Sequence, residues 1–334
     1  MIGSLARLGA PVLLLLMLAV ASCGPVQIGR GVGGSPALVI APNGQTFSIG
    51  PGNRTLAVGP SRLIRLPSQA ARYARDGNTV LIDPGNYDDC AVWTASHLTI
   101  AARAPGVVFS GKTCQGKAIF VISGNDVTVR GIKFMHATVP DHNGAGIREE
   151  GTNLTLQDDR FIDNEEGILA GSNPGSTIRI SNSEFRGNGT CQAACAHGLY
   201  VGRIARLDVE NSHFTDTHVG HDIKSRALRT VLRGNDISDG PTGNSSYLVD
   251  IPNGGDLLIE HNMLSKGPRT DNDSTAIAIG EEGASNPSHS LVIRDNTFTN
   301  LLPKSTAFVT NRTETPVQLI GNKFVGQVVP LVGK

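Results

Sequence analysis

NDVTVRGIKF (125–134), TNLTLQDDRF (152–161), STIRISNSEF (176–185) and ARLDVENSHF (205–214) are copies of one pattern. Each holds an apolar pair spaced by two, a polar turn, and a Phe five residues after the pair. The column continues, so that Phe134, Phe161, Phe185, Phe214, Ile237, Leu264, Phe298 and Phe324 recur every 23 to 34 residues. The apolar pairs run from Val127/Val129 through Leu257/Ile259 to Val317/Leu319, and only Thr230 breaks the rule. Short period-two segments bounded by Gly, Asn and Asp read as strands and turns. Their fixed recurrence reads as a solenoid.

Two positions before the column stand Ile132, Asp159, Ser183, Ser212, Asn235, Asn262, Asn296 and Asn322. The last four predict a structural asparagine ladder, since stacked amides can bond one another and the turn backbone. Forty glycines and 4% aromatic residues suit such a turn-rich all-β chain. Formal net charge is zero and no basic run occurs, which argues against a nucleic-acid partner.

The N-terminus reads differently. Arg7 precedes the apolar run Val12–Val20, a secretory signal too short for a membrane span. Val20-Ala21-Ser22-Cys23 resembles the bacterial lipobox, which implies lipidation at Cys23; ordinary cleavage near Ala21, leaving Cys23 a spare thiol, is the alternative. The parity of cysteines favours the lipobox, because removing Cys23 from five leaves an even set in an exported protein. Cys90 and Cys114, 24 residues apart, fall on neighbouring coils and are expected to bridge. Cys191 and Cys195 are expected to close a small ring. The organisation expected is a signal at 1–22, a Gly/Pro-rich tether at 23–45 and one β-helical domain at 46–334, with a hairpin entering it over 46–62. Ser68 is expected to cap a short helix that ends at Gly77 and covers the first coil.

A second strand aligns Ile147, Ile168, Leu199, Ile223, Val249, Ile279 and Phe308 as an inward column. Alternation then turns Arg148, Leu169, Tyr200, Lys224, Asp250, Gly280 and Val309 outward. Arg226 and Glu282 stand two residues further on, and Glu166, His197, His221 and Tyr247 line the strand's entry. Outward residues of any solenoid are polar, and Lys224–Asp250 alone would be an ordinary ladder ion pair. Two His, two Tyr, Lys, Arg, Asp and Glu over adjacent coils make a better groove than a random face. Such a set suits proton abstraction at carbon 5 of a uronic acid. Lys224 would be the base and Arg226 the carboxylate neutraliser or acid. Tyr200, His197 and His221 would act as acid or positioning groups. Asp250, Glu281 and Glu282 would orient them or hold a calcium ion. Tyr247, Arg148, Glu166 and Glu282 are candidates for substrate binding.

The coils from about residue 66 to 325 resemble the pectate-lyase-like superfamily, a single-stranded right-handed parallel β-helix with a short N-terminal cap helix. GHDIKSRA (220–227), SSYLVDIPNGG (245–255) and IGEEG (279–283) resemble segments of bacterial β-helix repeat lipoproteins. The resemblance implies an exported, carbohydrate-active protein, periplasmic or on the outer membrane of a bacterium. It favours a monomeric lyase on an acidic polysaccharide, touching the membrane through a lipid anchor alone. A glycoside hydrolase or uronan epimerase on the same fold, or a non-catalytic polysaccharide-binding or export lipoprotein, stands as the alternative. Gly220-His221-Asp222 departs from the Gly-His-Gly of polygalacturonases. Pro140-Asp141-His142 departs from the Asp-Pro-His of alginate epimerases.

Overall fold

The computed structural model describes residues 54–192 and 194–334, and before them the strands Gln27–Gly29, Ala37–Ile40 and Thr46–Ile49. The signal segment 1–22 and Cys23 lie outside the described residues, as does most of the stretch read as a tether. The three early strands form one small sheet, with Gln27–Gly29 antiparallel to Ala37–Ile40. Among the described residues the expected hairpin over 46–62 is not formed: Thr46–Ile49 belongs to that sheet, and Thr55–Val58 pairs in parallel with Thr79–Ile82.

From Thr55 onward the chain winds as a right-handed parallel β-helix of three sheets. Sheet I has 11 strands, from Thr55–Val58 to Val317–Ile320. Sheet II has 10, from Gly85–Tyr87 to Lys323–Val325, and sheet III has 10, from Ala91–Trp93 to Val328–Gly333. The apolar pairs are sheet I in register: Val127 faces Leu154, then Ile178, Leu207, Thr230, Leu257, Leu291 and Val317. The aromatic column is sheet II in register, from Phe134 through Phe161, Phe185 and Phe214 to Phe324. Phe109 and Tyr87 extend it toward the N-terminus. Its rings stack inside the tube, closing to 4.4 Å between the centroids of Phe185 and Phe214. Each such pair contributes about 0.5–1.5 kcal/mol beyond its burial.

The turn from sheet I to sheet II needs one left-handed residue per coil. Gly131, Asp158, Asn182, Asn211, Gly234, His261, Asp295 and Gly321 supply it, all with φ between 49° and 74°. Gly and the short polar residues adopt this conformation at least cost, which is why they punctuate the repeat. The asparagine ladder lies just beyond. The Oδ1 of Asn262 accepts from the Asn235 amide (2.8 Å), and its Nδ2 donates to Asn296 Oδ1 (2.9 Å) and Leu232 O (3.0 Å). Asp159, Ser183 and Ser212 continue it, each accepting from a backbone amide of the coil before. A second ladder follows sheet II, where Asn164 and Asn188 stand three residues after their phenylalanines and bond each other at 3.0 Å.

The cap helix spans Pro67–Tyr73 and buries Pro67, Ala70 and Tyr73. Its N-cap is Leu66 rather than Ser68. The free amides of Arg65 and Leu66 donate to Gln69 Oε1, and the Ser68 amide donates to Asp89 Oδ2 at 2.7 Å. A leucine can hold this position because side chains elsewhere satisfy the helix's open donors. Both expected disulfides form, Cys90–Cys114 with Cα atoms 5.5 Å apart and Cys191–Cys195.

Sheet III follows the expected register as far as Val249 and then departs from it. Val249 faces Ile277, not Ile279, and Asp250 faces Ala278, which in turn faces Thr310. The strand Thr275–Ile279 ends before Gly280, whose φ of 82° takes the chain into a turn. Gly280 and Val309 therefore leave the outward column. Glu281 and Glu282 belong to a turn, not to a strand face.

Candidate functional site

The outer face of sheet III changes character along the solenoid. Val92, Val121 and Leu169 form an apolar strip over the early coils, interrupted by Arg148. Tyr200, Lys224 and Asp250 then follow as vertical neighbours on three successive strands.

Their side chains converge. Lys224 Nζ lies 3.3 Å from Asp250 Oδ2 and donates to Glu282 Oε1 at 2.7 Å. Arg226, beyond the end of the same strand, makes three contacts at once. Its Nη2 donates to Glu282 Oε2 (2.6 Å), its Nε to Tyr200 Oη (2.9 Å) and its Nη1 to Asn253 Oδ1 (2.5 Å). Both cations lie over the Tyr200 ring, at 5.8 and 5.7 Å from its centroid. The Lys224 side chain is only 11% exposed, whereas that of Glu282 is 45% exposed. Glu282 is thus an open lid of carboxylate over a partly buried pair of cations.

At the strand entry the expected column is present, and it works as a ladder. The amide of His197 donates to Glu166 Oε1 (3.1 Å), that of His221 to His197 Nδ1 (3.0 Å), and that of Tyr247 to His221 Nδ1 (3.1 Å). The rings of His197, His221 and Tyr247 stack at 4.8 and 5.0 Å. Each histidine therefore uses Nδ1 as an acceptor and carries its proton on Nε2. The His221 Nε2 stands 3.4 Å from Asp250 Oδ2. Burial holds His197 well below its usual value and His221 at about 3, with Lys224 adding repulsion to each. Burial likewise pushes Asp250 up to about 6, against the pull of Lys224. Glu166 is raised well above the usual carboxylate range by burial.

Other candidates stand apart. Arg148 is three coils from Lys224, on the order of 14 Å at about 4.8 Å per coil, and its nearest carboxylate is Glu150, 3.8 Å away. Glu281 pairs with Arg312 at 2.6 Å. Among the described residues no three His, Cys, Asp or Glu side chains gather in metal-ligating geometry. Asp250 faces Lys224, Glu282 spans Lys224 and Arg226, and Glu281 faces Arg312. The carboxylates named for calcium thus do not fit that ion, because cationic side chains already occupy them. Asp222, on the same coil as Lys224, is fully buried, accepts from Thr217 Oγ1 at 2.5 Å and does not reach the outer wall where a hydrolytic pair with Asp250 would have to form.

Two features were missed in the sequence. Asn253 holds Arg226 from the turn after the Asp250 strand. Behind His221, Asp239 and Lys266 are wholly buried. Lys266 Nζ donates to the carbonyls of Ser245 and Ser246 (3.0 and 2.8 Å) and lies 3.6 Å from Asp239 Oδ2, which pins the loop carrying Tyr247. A lysine two residues after Leu264 in the aromatic column should have signalled an interior cation.

A family model described as "Right handed beta helix region" matches residues 171–331. No curated protein matches the sequence. Among solved structures, pectate lyase Pel9A superposes with a TM-score of 0.54 at 14% identity, covering 83% of this chain and 78% of its own. A pectin methylesterase from Aspergillus niger gives 0.46 at 9% identity, over 81% and 84%. The A-module of mannuronan C-5 epimerase AlgE4 from Azotobacter vinelandii gives 0.44 at 16%, over 79% and 91%. The likeness to pectate lyase Pel9A and the family-model match show the fold, a right-handed parallel β-helix.

Proposed function

We propose that the wall around Lys224 binds the carboxylate of an acidic polysaccharide and cleaves the chain by β-elimination. One observation carries this reading: the carboxylate of Glu282, which Lys224 and Arg226 grip together at 2.7 and 2.6 Å. The wall already chelates a carboxylate, and that carboxylate comes from a half-exposed side chain on a turn. A uronate that displaces Glu282 would meet the same two donors, and paired charge-assisted bonds of this kind are strong.

The steps follow from the neighbours. Arg226 stabilises the charge that develops on the uronate as its carbon 5 loses a proton. Lys224 takes that proton after passing its own to Asp250, which lies within reach and which burial disposes to hold it. The bond from carbon 4 to the leaving oxygen breaks as the double bond forms between carbons 4 and 5. Tyr200 accepts from Arg226 through its oxygen, so its own proton is free for the leaving oxygen. His197, His221, Tyr247 and Glu166 act as positioning residues, since their ladder fixes the strand beneath. The likeness in fold to a pectate lyase supports the reading, and the site argument stands on this chain's residues.

The sequence features at the N-terminus support an exported, lipid-anchored protein, and two disulfides agree with an oxidising compartment.

The test is incubation with a panel of uronate polymers, following the ultraviolet absorbance of the unsaturated product. Lys224→Ala and Tyr200→Phe should abolish it while leaving the fold intact. Glu282→Gln should tighten binding of uronate oligomers, because the internal competitor is weakened. Undiminished product from Lys224→Ala would remove the base assignment. New reducing ends without absorbance would mean hydrolysis, altered uronate stereochemistry without cleavage would mean epimerisation, and binding alone would mean a carrier.

A further inference from the structure

A cleft of about 540 Å³ lies on another part of the molecule, at the corner where sheets I and II meet over the early coils. Its floor is apolar, built from Ala102, Pro105, Val107 and Val108. Its rim is cationic, with Arg130, Lys133 and Arg160 against one carboxylate, Asp158. The register explains the arrangement. Lys133 sits directly between Val108 and Arg160 on three successive strands of sheet II. Arg130 is the last residue of the sheet I strand on the Lys133 coil.

The pairing of these cations is uneven. Arg160 is held by Glu184, with Nε 2.5 Å from Oε2. Among the described residues, neither Arg130 nor Lys133 has a carboxylate within ion-pair distance, although most other cations of the solenoid do. Arg179, Arg206, Arg233 and Arg294 on sheet I all face an acid. Other cations among the described residues, such as Arg229 and Lys323, also lack an acid, so what marks Arg130 and Lys133 is that they share the rim of this cleft with Arg160 above an apolar floor.

We infer that this cleft is a second, non-catalytic holding site for an anionic polysaccharide, in which Arg130 and Lys133 meet carboxylates of the polymer. The floor fits the apolar face of a sugar ring, and the cations fit a charge carried at its edge. Two or three cations and no aromatic side chain in the lining make a poor nucleic-acid site, which needs a longer basic track or stacking platforms. A holding site away from the wall would keep a long polymer on the protein between encounters at Lys224, raising its effective concentration there. The choice of an acidic polysaccharide as ligand rests on the proposed function; the cleft and its unpaired cations do not.

The experiment measures binding of polygalacturonate and alginate, long chains and short oligomers, to the whole protein at low salt. Arg130→Glu/Lys133→Glu should weaken binding of the long chains by about tenfold or more, which corresponds to about 1.4 kcal/mol. Turnover of short oligomers should stay as in the wild type. Arg130→Gln/Lys133→Gln should give a smaller loss of the same kind. Lys323→Glu/Lys334→Glu makes the same change in net charge at the far end and should have little effect. Equal binding by the Arg130/Lys133 variants and the wild type, or equal loss in the far-end variant, overturns the inference. A protein that turns over no polymer yet loses binding through Arg130 and Lys133 would remove the lyase reading and leave this one standing.

Discussion

Asp250 is the residue on which the proposed chemistry turns. It sits between Lys224 and His221, it is 2% exposed, and burial raises it to about 6. Below that pH it is neutral and cannot take the lysine's proton. Activity should therefore rise with pH through a limb near 6. The histidines cannot produce that limb, since His221 stays neutral down to about 3 and His197 lies well below its usual value. A kcat/KM profile should show the limb in the wild type. Asp250→Asn should lower the rate on the order of 10²–10⁴-fold, the usual reach of one proton-transfer group, and leave a flat profile. An unchanged limb in that variant would return the titration to another group. Tyr200, Lys224 and Asp250 were legible as neighbours because strand alternation is a local rule. Asn253 was not, because it acts from a turn.

The strand-turn unit explains both the success and the slip of the alignment. Wherever a coil closes through the left-handed turn and the asparagine step, its register follows from residue spacing. Asn262 is buried in the middle of that ladder, while Asn322 lies at its half-buried end. Asn262→Ala strands the Asn235 amide and the Leu232 carbonyl, and should cost on the order of 3 kcal/mol. Asn322→Ala should cost about 1 kcal/mol, since water can replace its bonds. Urea midpoints of the two variants check this, and equal shifts would argue against a cooperative ladder. The slip came at the longest interval, between Leu264 and Phe298, where the loop before Thr275 lengthens. There the pairing of Val249 with Ile277 is set by where the loop lets the strand begin.

Across the whole molecule, burial of carboxyl groups should set how stability responds to pH. Glu149, Asp159 and Asp222 are each pushed up to about 8, chiefly by burial. Between their ordinary values and about 8 the folded chain holds more protons than the unfolded chain. Stability then falls as pH rises. The two buried histidines act in the opposite sense, but only below their ordinary value of 6.5. The thermal midpoint should therefore fall most clearly between pH 6.5 and about 8. Asp159→Asn should reduce that fall without loss at the alkaline end. A neutral Asp159 has the shape of the asparagine that later coils carry at the same step. A midpoint that holds level over this range would mean that these acids ionise at ordinary values.

The sequence by itself determined the solenoid, the register of sheets I and II, the stacked column of His197, His221 and Tyr247, and the outward line of Tyr200, Lys224 and Asp250. These follow from period-two alternation and from a turn that admits few residue types, both of which are local. The tertiary structure alone decided that Glu282 reaches back from a turn to bridge Lys224 and Arg226, that Asn253 holds Arg226, and that Arg130 and Lys133 share a cleft without acids to pair with. Those contacts depend on loop paths between coils of unequal length, and a repeat carries no information about where its interruptions will fold.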